Sequence, residues 1–199
     1  MNIPSLLASA FLGVVWLAGA IALREGERRK PILTWSLCFA LTLCLLAQLR
    51  YPQLLELFQR NKTEIIKGDW WRILTAIFFQ DGWTVGGVTN IALLLAIGSL
   101  GEQVWSRSDW LMIGIAGALI GELLGLRWEP VGAGNSIVTC ALAGSLLVAR
   151  PLRERSSLSK LMTTVAAALC LLLVAQRDIH GAAALSGILV GLTRPVLRH

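Results

Sequence analysis

An all-α polytopic membrane protein is the fold class that this sequence predicts, and three observations carry the prediction. Of 199 residues, 55% are hydrophobic and only 15% charged, with a mean hydropathy of +0.67, whereas ordinary soluble domains carry about 25% charged residues. The apolar residues are grouped in uninterrupted blocks close to the roughly 20 helical residues that cross a hydrocarbon core of about 30 Å. The basic residues sit at the ends of those blocks, where topology signals belong. The net charge of +6 and the pI near 9.7 thus describe membrane flanks. No amphipathic basic stretch with interleaved aromatics points to nucleic acid.

The elements follow in order. Pro4–Ala22 is the first apolar block. Residues 1–12 carry no basic side chain, while Arg24, Arg28, Arg29 and Lys30 follow directly. A cleaved signal peptide has the opposite polarity, so this block is expected to be a retained span with its N-terminus outside. Ile32–Leu49 is the second span. The segment from Arg50 to Trp83 is too polar to cross and too apolar for a free linker. Leu54, Leu55, Leu57 and Phe58, then Ile65, Ile66, Trp70, Trp71, Ile73 and Leu74, recur at roughly helical spacing. Short helices lying in the interface are expected there, with Trp70, Trp71 and Trp83 at headgroup level. Val85–Leu100, Trp110–Leu126, Ser136–Val148, Leu161–Ala175 and Gly181–Leu197 complete seven blocks. The fifth and seventh are rich in Gly and Ala, as closely packed membrane helices are.

Charge orients the chain. With Arg24–Lys30 cytoplasmic, the inner stretches are Gly101–Asp109, Arg150–Lys160 and the tail from Arg194, and with that first loop they hold eleven of the eighteen Lys and Arg. Most of the others lie in the long Arg50–Trp83 segment, and long loops count for less. The expected placement is a bacterial-type plasma membrane, N-terminus outside and C-terminus cytoplasmic. His199 at the end of the chain is assigned no role.

Polar residues within spans are costly and therefore informative. Asn90, Glu122, Asn135, Ser136, Thr139 and His180 stand out. The topology puts Ser136 and His180 at the outer starts of their spans and Asn90 about one and a half turns into another, so the three converge on one level. Ser136, Cys140, Ala143, Gly144 and Leu147 fall on one face of the fifth span, and His180, Ala184, Gly187 and Gly191 on one face of the seventh. Faces lined by small residues let backbones approach, which would bring an imidazole to a hydroxyl, as a serine nucleophile needs. No third, carboxylate member is evident, so a dyad is expected. Taken singly, each has a plainer reading: Ser136 as a helix cap, His180 as an interfacial cap, Asn90 as interhelical glue. Glu122, one turn from the outer end of its span, is expected to reach the interface. Cys38, Cys44, Cys140 and Cys170 lie in apolar blocks without metal or redox spacing.

Several of these residues together resemble the rhomboid family. Gly68-Asp69-Trp70-Trp71-Arg72 resembles its Trp-Arg motif. Phe78-Phe79-Gln80-Asp81-Gly82-Trp83, Asn90 and Gly101-Glu102 resemble its second core span. Gly134-Asn135-Ser136-Ile137 with Gly144 resembles its Gly-x-Ser-x nucleophile motif, and His180-Gly181-Ala182-Ala183 with Gly187 its final histidine motif. The resemblance covers about residues 32–197. Gly86 stands where the family has a histidine, and Ile137 where it has a glycine. The resemblance implies a rhomboid-like six-helix core, residues 32–199, preceded by an extra transmembrane helix and basic loop at residues 1–31. It also implies serine endopeptidase activity on transmembrane or membrane-adjacent segments of protein substrates in the bilayer. Ser136 would be the nucleophile, His180 the general base, and Asn90 with the Ser136 N–H the oxyanion donors. No metal or cofactor is implied. The alternative is a catalytically impaired relative that binds single-span clients. A channel or transporter is disfavoured, because the spans carry little charge and no pair of broken helices marks a midplane ion site.

Overall fold

The computed structural model describes residues 3–22, 29–149 and 157–197, with only the backbone of residues 3 and 4. Arg24, Arg28, the stretch 150–156 and His199 lie outside the described residues.

Five helices are long and apolar enough to cross a membrane: α1 (Ile3–Ala22), α2 (Ile32–Arg50), α6 (Trp83–Val104), α7 (Arg107–Trp128) and α9 (Ser157–Ala175). Two shorter apolar helices, α8 (Ser136–Val148) and α10 (Ile179–Leu192), complete the set of apolar blocks. Between α2 and α6 the chain forms α3 (Gln53–Phe58), α4 (Lys62–Lys67), α5 (Arg72–Thr75) and a 3₁₀ turn at Ala76–Phe78. The short helices expected there are present. Trp70 and Trp71 are 63% and 47% exposed, as interfacial tryptophans would be. Arg72 of the Trp-Arg motif is buried and donates to the Glu56 and Gln59 carbonyls and the Asp69 carboxylate, tying the segment to itself.

Local chemistry sets the boundaries. α4 starts on Asn61, whose side chain accepts from Thr63 N and Glu64 N, and stops at Gly68, whose φ of +122° suits glycine alone. α7 starts on Ser106, which accepts from Asp109 N. Both α6 and α7 run past their apolar blocks, because polar flanking residues continue the helix. α10 stops at Leu192 rather than at the expected Leu197; Pro195 disfavours helix in the residue before it, and the Thr193 hydroxyl bonds back to the Val190 carbonyl.

α8 is the axis of the bundle, buried at every residue from Ile137 to Leu147. Around it stand α10, α7, α6, α1 and α9, with α2 outside against α6. The α8–α10 crossing is backbone on backbone. A Cβ at Gly144 would run into the Ala184 carbonyl oxygen, and one at Gly187 into that of Ala141. On α10 the contact face is the expected Ala184, Gly187 and Gly191 stripe. On α8 it includes Ser136 and Gly144 of the expected face, with Ala141, Ser145 and Val148 beside them. The added residues cost nothing in patterning, since α8 has no exposed side to mark its register.

Polar ties fix the helix ends. Glu102 at the lower end of α6 accepts from Leu33 N, Thr34 N and the Thr34 hydroxyl. It thereby satisfies first-turn amides of α2, whose own Pro31 cap offers no side-chain bond. Trp105 Nε1 donates to Ser145 Oγ at 2.9 Å, setting the lower end of α8 level with that of α6. At the other end, called upper below, Arg60–Asn61 (β1) pairs antiparallel with Val131–Gly132 (β2).

Candidate active site

The first residues of α8 lie well below the upper end of the bundle. Asn135, its N-cap, donates from Nδ2 to the Asn90 carbonyl at 3.2 Å, and Asn90 is seven residues into α6. At 1.5 Å per residue Ser136 is recessed by about 10 Å. A 13-residue helix spans only about 20 Å of a core about 30 Å thick. A cavity of about 340 Å³ fills the difference; Ser136, His180, Asn90 and Gly86 line it.

In that cavity the Ser136 hydroxyl lies 2.8 Å from His180 Nε2. The ring's other nitrogen, Nδ1, lies 2.7 Å from Asp178 Oδ1, and the same oxygen accepts from the His180 backbone N–H at 2.8 Å. Burial would raise the Asp178 carboxyl, but its hydrogen bonds with His180 and the charge of that ring outweigh burial and hold it below the ordinary value. An ionised carboxylate only accepts, so Nδ1 carries a proton, and in the ring's neutral form Nε2 is left as acceptor. In that form the Ser136 O–H donates to His180. The expectation that no carboxylate stands behind the pair is corrected here. Asp178 precedes the helix and reads in sequence as a cap; the sign that could have revealed it is a histidine at the second helical position, where the capped amide brings its own ring back to the carboxylate.

The turn that presents Asp178 is tightly built. α9 ends with Asp178 N donating to the Leu173 carbonyl and Arg177 N to that of Val174, the paired bonds of a Schellman cap. Arg177 takes the left-handed position at φ 57°. Gly181 lies against the Leu173–Val174 backbone, where a Cβ would clash with Val174 N. Cap and turn thus fix the histidine from both sides.

Asn90 faces the same cavity but is part of a ring of amides. Its Nδ2 donates to Gln80 Oε1 at 2.9 Å, Gln80 Nε2 donates to Asn135 Oδ1 at 2.9 Å, and Asn135 closes the ring on the Asn90 carbonyl. Gln48 of α2 clamps the Gln80 backbone from both sides. One Asn90 amide hydrogen is thereby used and one is left. Gly134, at φ +156°, keeps the space between these groups open; a Cβ there would sit 3.4 Å from Asn90 Nδ2 and 3.6 Å from Ser136 Oγ. A Cβ at Gly86 would meet nothing within 4 Å, so the position of the family's histidine opens onto the cavity. Ile137 turns its side chain onto Gly121 of α7.

Glu122 does not reach the interface, contrary to expectation. It is 1% exposed and pairs with Arg60 at 2.9 Å. Arg60, also buried, donates from Nε to the Glu129 carbonyl. Gly125 and Gly132 make room for the guanidinium. The segment between α2 and α6 folds over the upper end of α7 and carries Arg60 down to the carboxylate, a partnership between residues 62 positions apart that local pattern does not reveal.

These helices, with a polar site recessed among them, define an integral multi-pass membrane protein of all-α fold. Residues 67–198 match the family model for the rhomboid domain, and the chain belongs to the rhomboid family, whose members are intramembrane proteases or derived from them. Neither a curated protein nor a solved structure matches the chain.

Proposed function

We propose that the protein is an intramembrane serine endopeptidase acting on transmembrane or membrane-adjacent segments of other proteins. The observation that carries this reading is the 2.8 Å contact between the Ser136 hydroxyl and His180 Nε2 at the bottom of a cavity. Ser136 attacks the scissile carbonyl while its proton passes to Nε2. The imidazolium then protonates the leaving amine, and water entering from the upper end hydrolyses the acyl-enzyme through the same base. Asp178 holds the ring in the productive tautomer and stabilises its charged form. The oxyanion is met by the Ser136 N–H, which as a first-turn amide has no intrahelical acceptor, and by the remaining Asn90 amide hydrogen. The upper end is assigned to the extracytoplasmic side of a bacterial-type plasma membrane, with the N-terminus outside and the C-terminus in the cytoplasm. Residues 1–31 form an added span and loop before the catalytic domain of residues 32–199.

The test uses the protein in liposomes with a panel of single-span reporters and a fluorophosphonate probe. Wild type is expected to take the label on Ser136 and to cleave reporters, with both lost in Ser136→Ala and His180→Ala. Identical behaviour of wild type and Ser136→Ala rejects the enzymatic reading. A second reading, a catalytically impaired client binder, is favoured by Gly86, which supplies no further oxyanion donor, and by the engagement of Asn90 with Gln80. It expects reporter capture without turnover, unchanged by Ser136→Ala.

A further inference from the structure

Arg60 does more than neutralise Glu122. A guanidinium has N–H groups on all three of its nitrogens. Here Nε donates to the Glu129 carbonyl and Nη1 to the Glu122 carboxylate, each at 2.9 Å. Nη2 has no acceptor among the described residues. The side chain is only 2% exposed, and a buried donor left unbonded is costly. Yet Arg60 lines the same cavity as Ser136 and His180. Nη2 lies along its wall, where a Cβ at Gly132 would stand 2.8 Å away.

The guanidinium is held in place. Pairing of β1 with β2 sets the Arg60 backbone beside Gly132, and the bonds from Nε and Nη1 fix the plane of the fork. Its height suits the chemistry as well. Glu122 follows Gly121, and Gly121 lies against Ile137, the residue after the nucleophile. A fork so fixed, with one nitrogen unbonded, is built to donate to an acceptor that the protein itself does not contain.

A client under attack supplies such an acceptor. Inside a helix each carbonyl is bonded to the amide four residues on, and Ser136 can attack only where that helix is unwound. Unwinding frees carbonyls in a site shielded from bulk water, and each of them needs a donor. Ser136 is recessed by about 10 Å. Roughly three extended residues of client, at about 3.3 Å each, therefore lie between the scissile bond and the upper end. Charge selects a neutral acceptor. Glu122 already balances Arg60, and Asp81, whose Oδ2 accepts from Ala133 N on the same wall, adds a negative charge that repels a client carboxylate.

We infer that Arg60 is a substrate-binding residue, its Nη2 donating to a main-chain carbonyl of the client within about three residues of the scissile bond on the upper side. The inference rests on the catalytic reading of Ser136 and His180.

The test weakens acceptor and donor separately, with the full chain in liposomes. Synthetic single-span reporters carry an ester, whose carbonyl is the poorer acceptor, in place of one peptide bond at a time through the upper residues. Arg60→Met/Glu122→Met removes the donor; replacing a buried ion pair whole by apolar residues of similar volume commonly preserves the fold. Gly132→Ala keeps the ion pair and sets a methyl against Nη2. In wild type one ester should lower kcat/KM by about 10-fold, as for a hydrogen bond from a charged group. The same ester should change it by less than about twofold in both variants, while fluorophosphonate still labels Ser136. No ester effect at any position, or an equal one in wild type and variants, overturns the inference. An Arg60-dependent gain from Asp placed in the reporter overturns it too, because Nη2 would then serve a carboxylate. Should the double variant lose labelling, Gly132→Ala decides alone. If wild type shows neither Ser136-dependent labelling nor cleavage, the catalytic reading fails instead, and binding of the intact reporters becomes the readout. An ester-dependent Kd in wild type that the variants lose supports the carbonyl contact, and a Kd indifferent to the ester overturns it.

Discussion

The α8–α10 seam and the α1 contact are both helix pairings inside one bundle, yet they are built from opposite materials. At the seam, Gly144 faces the Ala184 carbonyl and Gly187 that of Ala141, with no side chain between. At α1, Phe11, Val15 and their neighbours supply the contact. A backbone contact fixes distance to within a few tenths of an ångström because nothing in it can rotate; interiors packed this closely do not deform smoothly. A side-chain contact can repack. The chemistry follows the difference: the seam holds a hydroxyl and an imidazole at hydrogen-bond distance, while the side-chain contact closes the cavity on the side of α1.

The sharpest way to break this comparison is to insert bulk in one place and remove it in the other. Gly187→Val has to push α8 and α10 apart against backbone. Its cost is expected at or above the upper end of the roughly 1–3 kcal/mol typical of overpacked cores, with Ser136 labelling lost. Phe11→Ala is expected to leave the bundle folded and Ser136 labelled by fluorophosphonate. Thermal unfolding in detergent micelles alongside labelling reads both. If Phe11→Ala unfolds the protein as Gly187→Val does, the two contacts are of one kind.

The next test concerns what the seam positions. Asp178→Asn keeps a good helix cap, so near neutral pH thermal stability should fall only by what the ionised carboxylate itself contributes. The ring, however, loses the acceptor that fixes its tautomer. A fall of roughly 10²- to 10⁴-fold in kcat is expected, with KM little changed. The acid limb gives a second readout. The Asp178 carboxyl is held below its ordinary value in the folded protein, so its contribution to stability is complete above the unfolded carboxyl value of about 4 and is lost as pH falls from there through the folded value. In the variant that part of the acid-induced loss should disappear. A purely structural cap would leave kcat unmoved.

Most of the helical architecture was legible in the sequence because membrane helices announce themselves by uninterrupted apolar length, and Ser136 and His180 because polar groups are rare there. The residues that support them were hidden, for one physical reason. Asp178, Gln80 and Glu122 each bond to something a local pattern does not name. Asp178 serves as a cap and a ring acceptor at once. Gln80 lies in a loop, yet joins α2, α6 and α8 through Gln48, Asn90 and Asn135. Glu122 meets Arg60 only after the interfacial segment has folded over α7. Part of the contact face of α8, at Ala141, Ser145 and Val148, escaped as well, since a helix buried all round carries no amphipathic mark of its register.

The smallest effect sharpens the same comparison at the turn that aims the histidine. Arg177 occupies a left-handed conformation that costs an L-residue about 1–2 kcal/mol, and glycine there would remove that strain. Two terms oppose the gain: glycine's larger entropy loss on folding, about 0.5–1 kcal/mol, and the loss of a cation near the lower-potential C-terminus of α9, about 0.3–1 kcal/mol where exposed. Arg177→Gly is therefore expected to change stability by less than about 1 kcal/mol and to leave kcat unaltered, because the Schellman bonds from Arg177 N and Asp178 N are backbone bonds that glycine also makes. A large fall in kcat at unchanged melting temperature would mean that the arginine side chain, and not the backbone of the turn, aims Asp178 at the ring; the rigidity of the seam would then end at Gly181.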